Sequence, residues 1–314
     1  TPREGFRYAD FAKRKGFSEL PYIPFHAFLA YTQNFFDGHG LKFRRTQVTE
    51  LKQRENLWQL STDTGMQLAK NVVVAVGLKG MERIPAGIQA WGGRYMLASE
   101  IQSFEVFRAK SVVVVGSGQS ALEIALEIAR SQDSRVTLLA RGVGIKFRSI
   151  HSPNDAIYKF LFKNVDKVFR VLPIPLQDIL LNFLMKGTAE PSVENKLSSS
   201  KIRVLSKVQI RAVRGDDGEP MEIDLSDGSH LSADHLILGT GYRYDVRSVP
   251  FLRRLVATGA LRASGGLAIL SRSSEASAHG LFFAGMSALR LIGPQCQFVF
   301  GTKKVTPRII SAIK

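Results

Sequence analysis

The stretch from Ser111 to Arg141 constrains the fold more than any other. Val112 to Val115 are four consecutive β-branched residues. Such a run is apolar on both faces of an extended chain, as a strand inside a parallel sheet must be. Gly116-Ser117-Gly118 breaks the run, and Ala121, Leu122, Ile124, Ala125, Ile128 and Ala129 then recur at helical spacing up to Ser131. Val136 to Ala140 reads as a second strand. Crossovers between parallel strands are right-handed, so a β-α-β unit is predicted. Gly116 to Ala121 has the form G-x-G-x-x-A at its strand-to-helix turn. In a dinucleotide site the first glycine makes the tight turn and the second lets a pyrophosphate touch the backbone. The alanine lets helix and strand approach. Gly116, Ser117, Gly118, Gln119 and Ser120 are therefore candidate phosphate-binding residues, since the free N–H groups and positive end of a helix attract phosphate. The competing reading is a strand-helix turn with no ligand.

The end of the second strand decides which dinucleotide fits. NAD sites place an acidic residue about 20 residues beyond the glycines, on the ribose hydroxyls. Here the strand ends Leu139-Ala140-Arg141. A guanidinium pairs bidentately with phosphate, so Arg141 favours the 2′-phosphate of NADPH, with Lys146 and Arg148 as helpers. A solvated surface arginine is the alternative. A hydrolase nucleophile elbow at Ser120 fails, because Leu122 stands where that motif needs glycine and no acid–histidine pair follows.

Three more short apolar strands are predicted at Asn71 to Val76, His235 to Leu238 and Leu281 to Ala284. Two follow predicted hairpins, Leu57 to Leu68 turning at Asp63-Thr64-Gly65 and Met221 to Leu231 turning at Ser226-Asp227-Gly228. The same plan thus occurs on each side of the β-α-β unit, and 314 residues suit two domains at roughly 100–200 residues each. Between Gly142 and Lys201 the segments YKFLFKNVDKVFRVL and LQDILLNFLMK read as amphipathic helices of an insertion, with a lid over the substrate as its expected role.

Several function classes drop out. One cysteine, Cys296, excludes a disulfide framework, a thiolate zinc site and a dithiol redox pair, and fits a reducing, cytoplasmic compartment. No two of the six histidines have the spacing that puts two ligands on one helical face, so no metal is expected. No apolar run reaches the ~20 residues of a membrane helix, and the first residues hold no signal core. The net charge of +16 calls for an anionic partner, either a nucleotide cofactor or a nucleic acid. Half of it lies between Lys146 and Arg214, which hold 13 basic and 5 acidic residues. No nucleic-acid signature accompanies that charge, and a peripheral membrane role for Tyr158 to Lys186 is the other alternative weighed.

Taken together, GSGQSALE at Gly116 to Glu123, LGTGY at Leu238 to Tyr242 followed by Arg243 and Asp245, and the closing GLFFAG, GP and FVFGT resemble class B flavin-dependent monooxygenases. The GSGQSA form is more similar to the branch that hydroxylates lysine or ornithine nitrogen. The resemblance runs in order from PYIPFHAFLAYTQNFF to the last helix. It implies an α/β fold of two Rossmann-like dinucleotide-binding domains, one for NADPH inserted into one for FAD. The expected boundaries are residues 1–106 and 246–314 for FAD and 107–245 for NADPH, with the helical insertion at about 146–205. It further implies that Val74 to Gly77 leave the first domain and that Thr240, Gly241 and Tyr242 lie at the return. Gly285, Met286, Gly293 and Pro294 would complete the flavin site, with the last helix beginning near Gln297. The implied activity is NADPH- and O2-dependent oxygenation of a nitrogen or sulfur nucleophile on a small molecule, through a C4a-peroxyflavin. An NADPH oxidase or reductase without oxygen transfer is the alternative. No catalytic side chain is identified, since the cofactor carries the chemistry.

The chain departs from the family's pattern at three places. The linker signature F-x-G-x-x-x-H would fall at Trp91-Gly92-Gly93, with Leu97 in place of histidine, and Met286 stands where many FAD proteins have aspartate. No strand followed by G-x-G-x-x-G precedes residue 111. The family's first FAD segment, about 100 residues, is therefore expected to be absent. That would expose the apolar edges of Val72 to Val76 and Leu281 to Ala284, weaken FAD binding and favour aggregation.

Overall fold

The computed structural model describes residues 6–17, 23, 25–85, 88, 94–130, 133–147, 156–169, 171–185, 187–216 and 218–314, without the side chains at 156–159, 161–163 and 300. The chain begins with helices α1 (Tyr8–Lys15) and α2 (Phe25–Gly38). Strands β1 (Val48–Arg54), β2 (Leu57–Thr62), β3 (Gly65–Ala69), β4 (Val72–Val74) and β5 (Met96–Leu97) follow. The predicted β-α-β unit is β6 (Ser111–Val115), α3 (Gln119–Arg130) and β7 (Arg135–Ala140). Next come α4 (Ala156–Phe169), α5 (Ile174–Leu184) and α6 (Pro191–Ser198). Strands β8 (Arg203–Ser206), β9 (Ile210–Arg214), β10 (Met221–Leu225), β11 (His230–Ala233) and β12 (His235–Leu238) lead into α7 (Arg253–Ala257). The chain closes with β13 (Ala263–Ser264), β14 (Leu267–Ala268), β15 (Leu281–Phe283), α8 (Leu289–Ile292) and α9 (Thr302–Ile313).

The centre is a five-stranded parallel sheet ordered β5-β12-β6-β7-β8. Its valines explain it. Val112 and Val114 face α3, where Ala121, Leu122, Ala125 and Ile128 form one wholly buried stripe. Val113 points the other way, onto Met221, Ile223 and Leu225 of the antiparallel meander β9-β10-β11. Both faces of β6 are thus covered, as its unbroken valine run requires. Each such side chain contributes about 1.5–3 kcal/mol by leaving water.

A second core gathers the meander β1-β2-β3 and the two-stranded parallel sheet β4–β15 with the C-terminal helices. Trp58 is 1% exposed there, and its Nε1 donates to the His279 carbonyl at 3.0 Å. The plan of a meander followed by a short buried strand therefore does occur twice, as β1 to β4 and as β9 to β12. Leu281, Phe282 and Phe283 are buried, whereas Val73 and Val76 stay partly exposed.

The helical insertion divides its allegiance. Helix α6 gives Val193 to the core under α3. Helices α4 and α5 instead give Val165, Phe169, Leu181 and Leu184 to the second core. Buried Asp166 of α4 fastens this contact, accepting from Lys304 Nζ at 2.6 Å and from Arg308 Nη2 at 3.1 Å on α9. The chain leaves the sheet unit past Phe147 and returns at Ala189. There the two passes lie side by side, with Ala189 N donating to the Lys146 carbonyl at 2.9 Å.

Candidate functional site

In the five-stranded sheet the order runs from β6 through β7 to β8 on one side and through β12 to β5 on the other. The order reverses between β6 and β12, and ligands of open α/β sheets bind outside the strand ends at such a point. The residues there are Gly116 and Gly239.

Gly116 has φ +146°, and a Cβ on it would lie 2.3 Å from the Gly239 carbonyl oxygen and 2.9 Å from Ala121 Cβ. A Cβ on Gly239 would lie 2.7 Å from Ala121 Cβ. Three small residues therefore interlock where β6, β12 and α3 meet, and the G-x-G-x-x-A spacing is the record of that contact. Gly118 differs, because a Cβ there would meet nothing within 4 Å. Backbone and open space thus adjoin at the start of α3, which has no acidic residue in its first turn. Ser117 is half-buried and Ser120 exposed. The Gln119 side chain is already engaged, donating to Glu123 Oε1 at 2.6 Å and accepting from the Glu190 amide at 2.7 Å. It holds the returning pass of the insertion beside the turn, where the position of a Cβ on Gly187 is 3.9 Å from Gly118 Cα. Arg141 follows the end of β7, exposed and without an ion-pair partner among the described residues. Lys146 is exposed too, and Arg148 lies outside the described residues.

Thr240, Gly241 and Tyr242 run against the outgoing segment. Arg83 N donates to the Gly241 carbonyl at 2.9 Å and Arg243 N to the Met81 carbonyl at 2.8 Å, with an antiparallel bridge between Glu82 and Tyr242. The Thr240 hydroxyl donates to the Arg83 carbonyl. The expected return is therefore paired with Met81 to Arg83, a few residues beyond the expected exit at Val74 to Gly77, and the Tyr242 side chain remains 36% exposed. The linker positions Trp91-Gly92-Gly93 lie outside the described residues.

The third cluster follows β15. Gly285 opens a 3-10 turn with φ +63°, and a Cβ on it would meet nothing within 4 Å. Met286 is buried, its Sδ 3.7 Å from Cys296 Sγ. Burial pushes the Cys296 thiol up to about 12, so it is a packing residue and not a nucleophile. Gly293 is closed over instead of open, for a Cβ on it would lie 2.4 Å from Val165 Cγ1 of α4. Pro294 beside it is buried. The last helix starts at Thr302, not near Gln297. The chain first makes two 3-10 turns, Pro294–Gln297 and Val299–Gly301, and a Cβ on Gly301 would stand 2.6 Å from the Gln295 carbonyl oxygen.

Two features near this cluster have no motif in the sequence. The Tyr244 and Ser287 hydroxyls are enclosed facing each other, and burial holds the Tyr244 phenol above its usual value. No cluster of potential metal ligands exists among the described residues, and no helix among them is long and apolar enough to cross a membrane.

Known proteins share this fold. A family profile described as pyridine nucleotide-disulphide oxidoreductase matches residues 15–168. Its disulphide chemistry needs paired sulfurs, and this sequence holds a single cysteine. A probable indole-3-pyruvate monooxygenase of Arabidopsis thaliana, YUCCA7, is 27% identical over 281 residues, covering 74% of this chain and 63% of the relative. The chain thus spans less than two thirds of that relative's length. Among solved structures, L-lysine 6-monooxygenase from Pseudomonas syringae matches with a TM-score of 0.74 at 21% identity, over 100% of this chain and 82% of that one. Ornithine N-hydroxylase from Kutzneria sp. 744 matches with 0.78 at 15% identity, over 100% and 83%. These likenesses bear out the fold of two dinucleotide-binding units.

Proposed function

We propose that this chain belongs to the class B flavin-dependent monooxygenase family, that it binds NADPH and FAD, and that it serves in the O2-dependent hydroxylation of a nitrogen or sulfur nucleophile on a small molecule. The observation that carries this reading is the contrast at the turn after β6. Gly116 is sealed beneath Gly239 while Gly118, two residues on, faces open space. A turn serving packing alone has no need of the second glycine.

The residues fit the two cofactors to different extents. NADPH suits the turn: backbone amides from Ser117 to Ser120 would meet its pyrophosphate, with Gln119 acting through its main chain because its side chain is engaged. Arg141 would hold the 2′-phosphate. FAD suits the open side of Gly285 beside Met286, with the enclosed hydroxyls of Tyr244 and Ser287 close by. Gly293 and Pro294, packed beneath α4, would support that edge from behind. Thr240, Gly241 and Tyr242 would set the spacing between the two cofactors through their pairing with Met81 to Arg83. When bound, the nicotinamide supplies hydride and the flavin supplies the redox chemistry that these side chains lack. The part of the chain's own residues is to bind, orient and exclude water. The lone buried thiol favours a reducing, cytoplasmic setting.

The reading is tested by equilibrium binding of NADPH and NADH, followed by nicotinamide fluorescence. NADPH should bind at least about tenfold more tightly than NADH, and Arg141→Ala should remove the difference. Equal affinities in the wild type, or a preference that survives the substitution, would refute the assignment.

A further inference from the structure

A cavity of about 180 Å³ lies between α5, the chain after β14 and α8, on the side of the Gly293 turn. Phe169, Ile174, Ile269, Leu270 and Leu291 form its apolar wall, and Gln177, Arg272 and Arg290 complete the lining. Arg290 is 6% exposed, which is rare for a guanidinium. It is held rigidly: Nη2 donates to Asp178 Oδ1 at 2.8 Å and to the Ser264 carbonyl at 2.9 Å, and Nη1 donates to Gln177 Oε1 at 3.1 Å. Its Nε is enclosed with no acceptor at all. Gln177 is fixed in turn, donating to the carbonyls of Phe169 and Leu172 at 2.8 and 3.0 Å. Arg272, exposed at the edge of the cavity, has no ion-pair partner among the described residues. Among the described residues the lining therefore holds two guanidinium groups and no carboxylate, and Asp178 behind it offsets one of them.

From these observations we propose that the cavity is a binding site for a small monocarboxylate with a single-ring apolar body. Charge sets the head group. One positive charge remains after Asp178 is counted, and a monoanion neutralises it. A phosphate dianion would overshoot, and an amine would add to the repulsion. Size sets the body, for a cavity of about 150 Å³ holds a benzene ring, leaving room here for one ring and a carboxyl group. The ring would lie against Phe169, Ile269 and Leu291, with the carboxylate toward Arg272 and the Arg290 edge. The site needs neither nucleotide nor flavin, so its test stands apart from the reading of the Gly116 turn.

Calorimetric titration of the chain with phenylacetate, phenylacetamide and phenethylamine tests it. Phenylacetate should bind one to one, and the neutral amide and the amine at least about tenfold more weakly, as loss of a charge-assisted pair requires. Arg272→Gln, an exposed position that leaves folding intact, should cost phenylacetate about tenfold. Ile174→Trp, which fills the cavity from the start of α5, should abolish binding of all three. Absence of phenylacetate binding at millimolar concentration would overturn the proposal. So would equal affinity for the three ligands, or binding that either substitution leaves unchanged.

Discussion

Gly116→Ala and Gly118→Ala differ by one methyl at positions two apart, yet their effects should separate completely. At Gly116 the new Cβ would stand 2.3 Å from the Gly239 carbonyl oxygen and 2.9 Å from Ala121 Cβ, in a backbone conformation of φ +146°. Holding an L-residue in such a conformation costs about 1–3 kcal/mol. Forcing a methyl into a filled contact adds about 1–3 kcal/mol, for roughly 2–6 kcal/mol together. Set against a total stability of about 5–15 kcal/mol and a urea dependence of about 3 kcal/mol per molar, the midpoint should fall by roughly 0.7–2 M. At Gly118 the methyl meets nothing within 4 Å. The midpoint should then hold within the ~0.5 kcal/mol of an ordinary surface change, while NADPH affinity drops about tenfold or more, because the methyl occupies the approach to the backbone amides. Urea denaturation followed by circular dichroism measures the first effect and nicotinamide fluorescence the second. Equal midpoint shifts in the two variants, or a Gly116→Ala protein as stable as wild type, would refute the division of labour drawn here.

Two further expectations concern the cores. Asp166→Ala removes the buried acceptor of the partly exposed Lys304 and Arg308, so stability should fall by about 1–3 kcal/mol; no change in the denaturation midpoint would mean that α4 is held by its apolar face alone. His235 stands edge-on to Phe107 at 5.1 Å, and burial holds its imidazole below the ordinary value of about 6.5. The unfolded chain therefore takes up the proton first, so the stabilisation is present above about pH 6.5 and is lost as pH falls from there through the folded-state value. Denaturation midpoints measured between pH 5 and 8 should show that decline in wild type and a flatter profile in His235→Asn. The same slope in both would contradict it.

What could be read from the sequence was whatever a short window carries. The valine run, the two glycines and the helical stripe after them lie within 20 residues, and the structure reproduces their strand, turn and helix. Both hairpins were legible because Asp63-Thr64-Gly65 and Ser226-Asp227-Gly228 announce their turns. Their outer partners were not. β1 is Val-Thr-Glu-Leu-Lys-Gln-Arg, mostly polar, with only Leu51 fully buried, and β9 is short and carries two arginines. Both are strands because a hairpin edge was available to them. The closure of Gly293 was illegible for another reason. Periodicity shows that α4 has an apolar face but not what that face meets, and Val165 covers a residue more than a hundred positions away. The engagement of Gln119 with Glu123 and Glu190 is likewise a tertiary fact, invisible in the motif that contains it.

The placement of α4 and α5 has a mechanical consequence. Two bodies joined by one linker can swivel about any axis through it. Among the described residues these two are joined where Met81 to Arg83 pairs with Gly241 to Arg243 and where Lys146 and Phe147 pair with Ala189. Like a door on two hinges, a pair of bodies so joined would turn most easily about the line through both joints. Any opening between the sheet unit and the remainder is thereby given a direction by the path of the backbone.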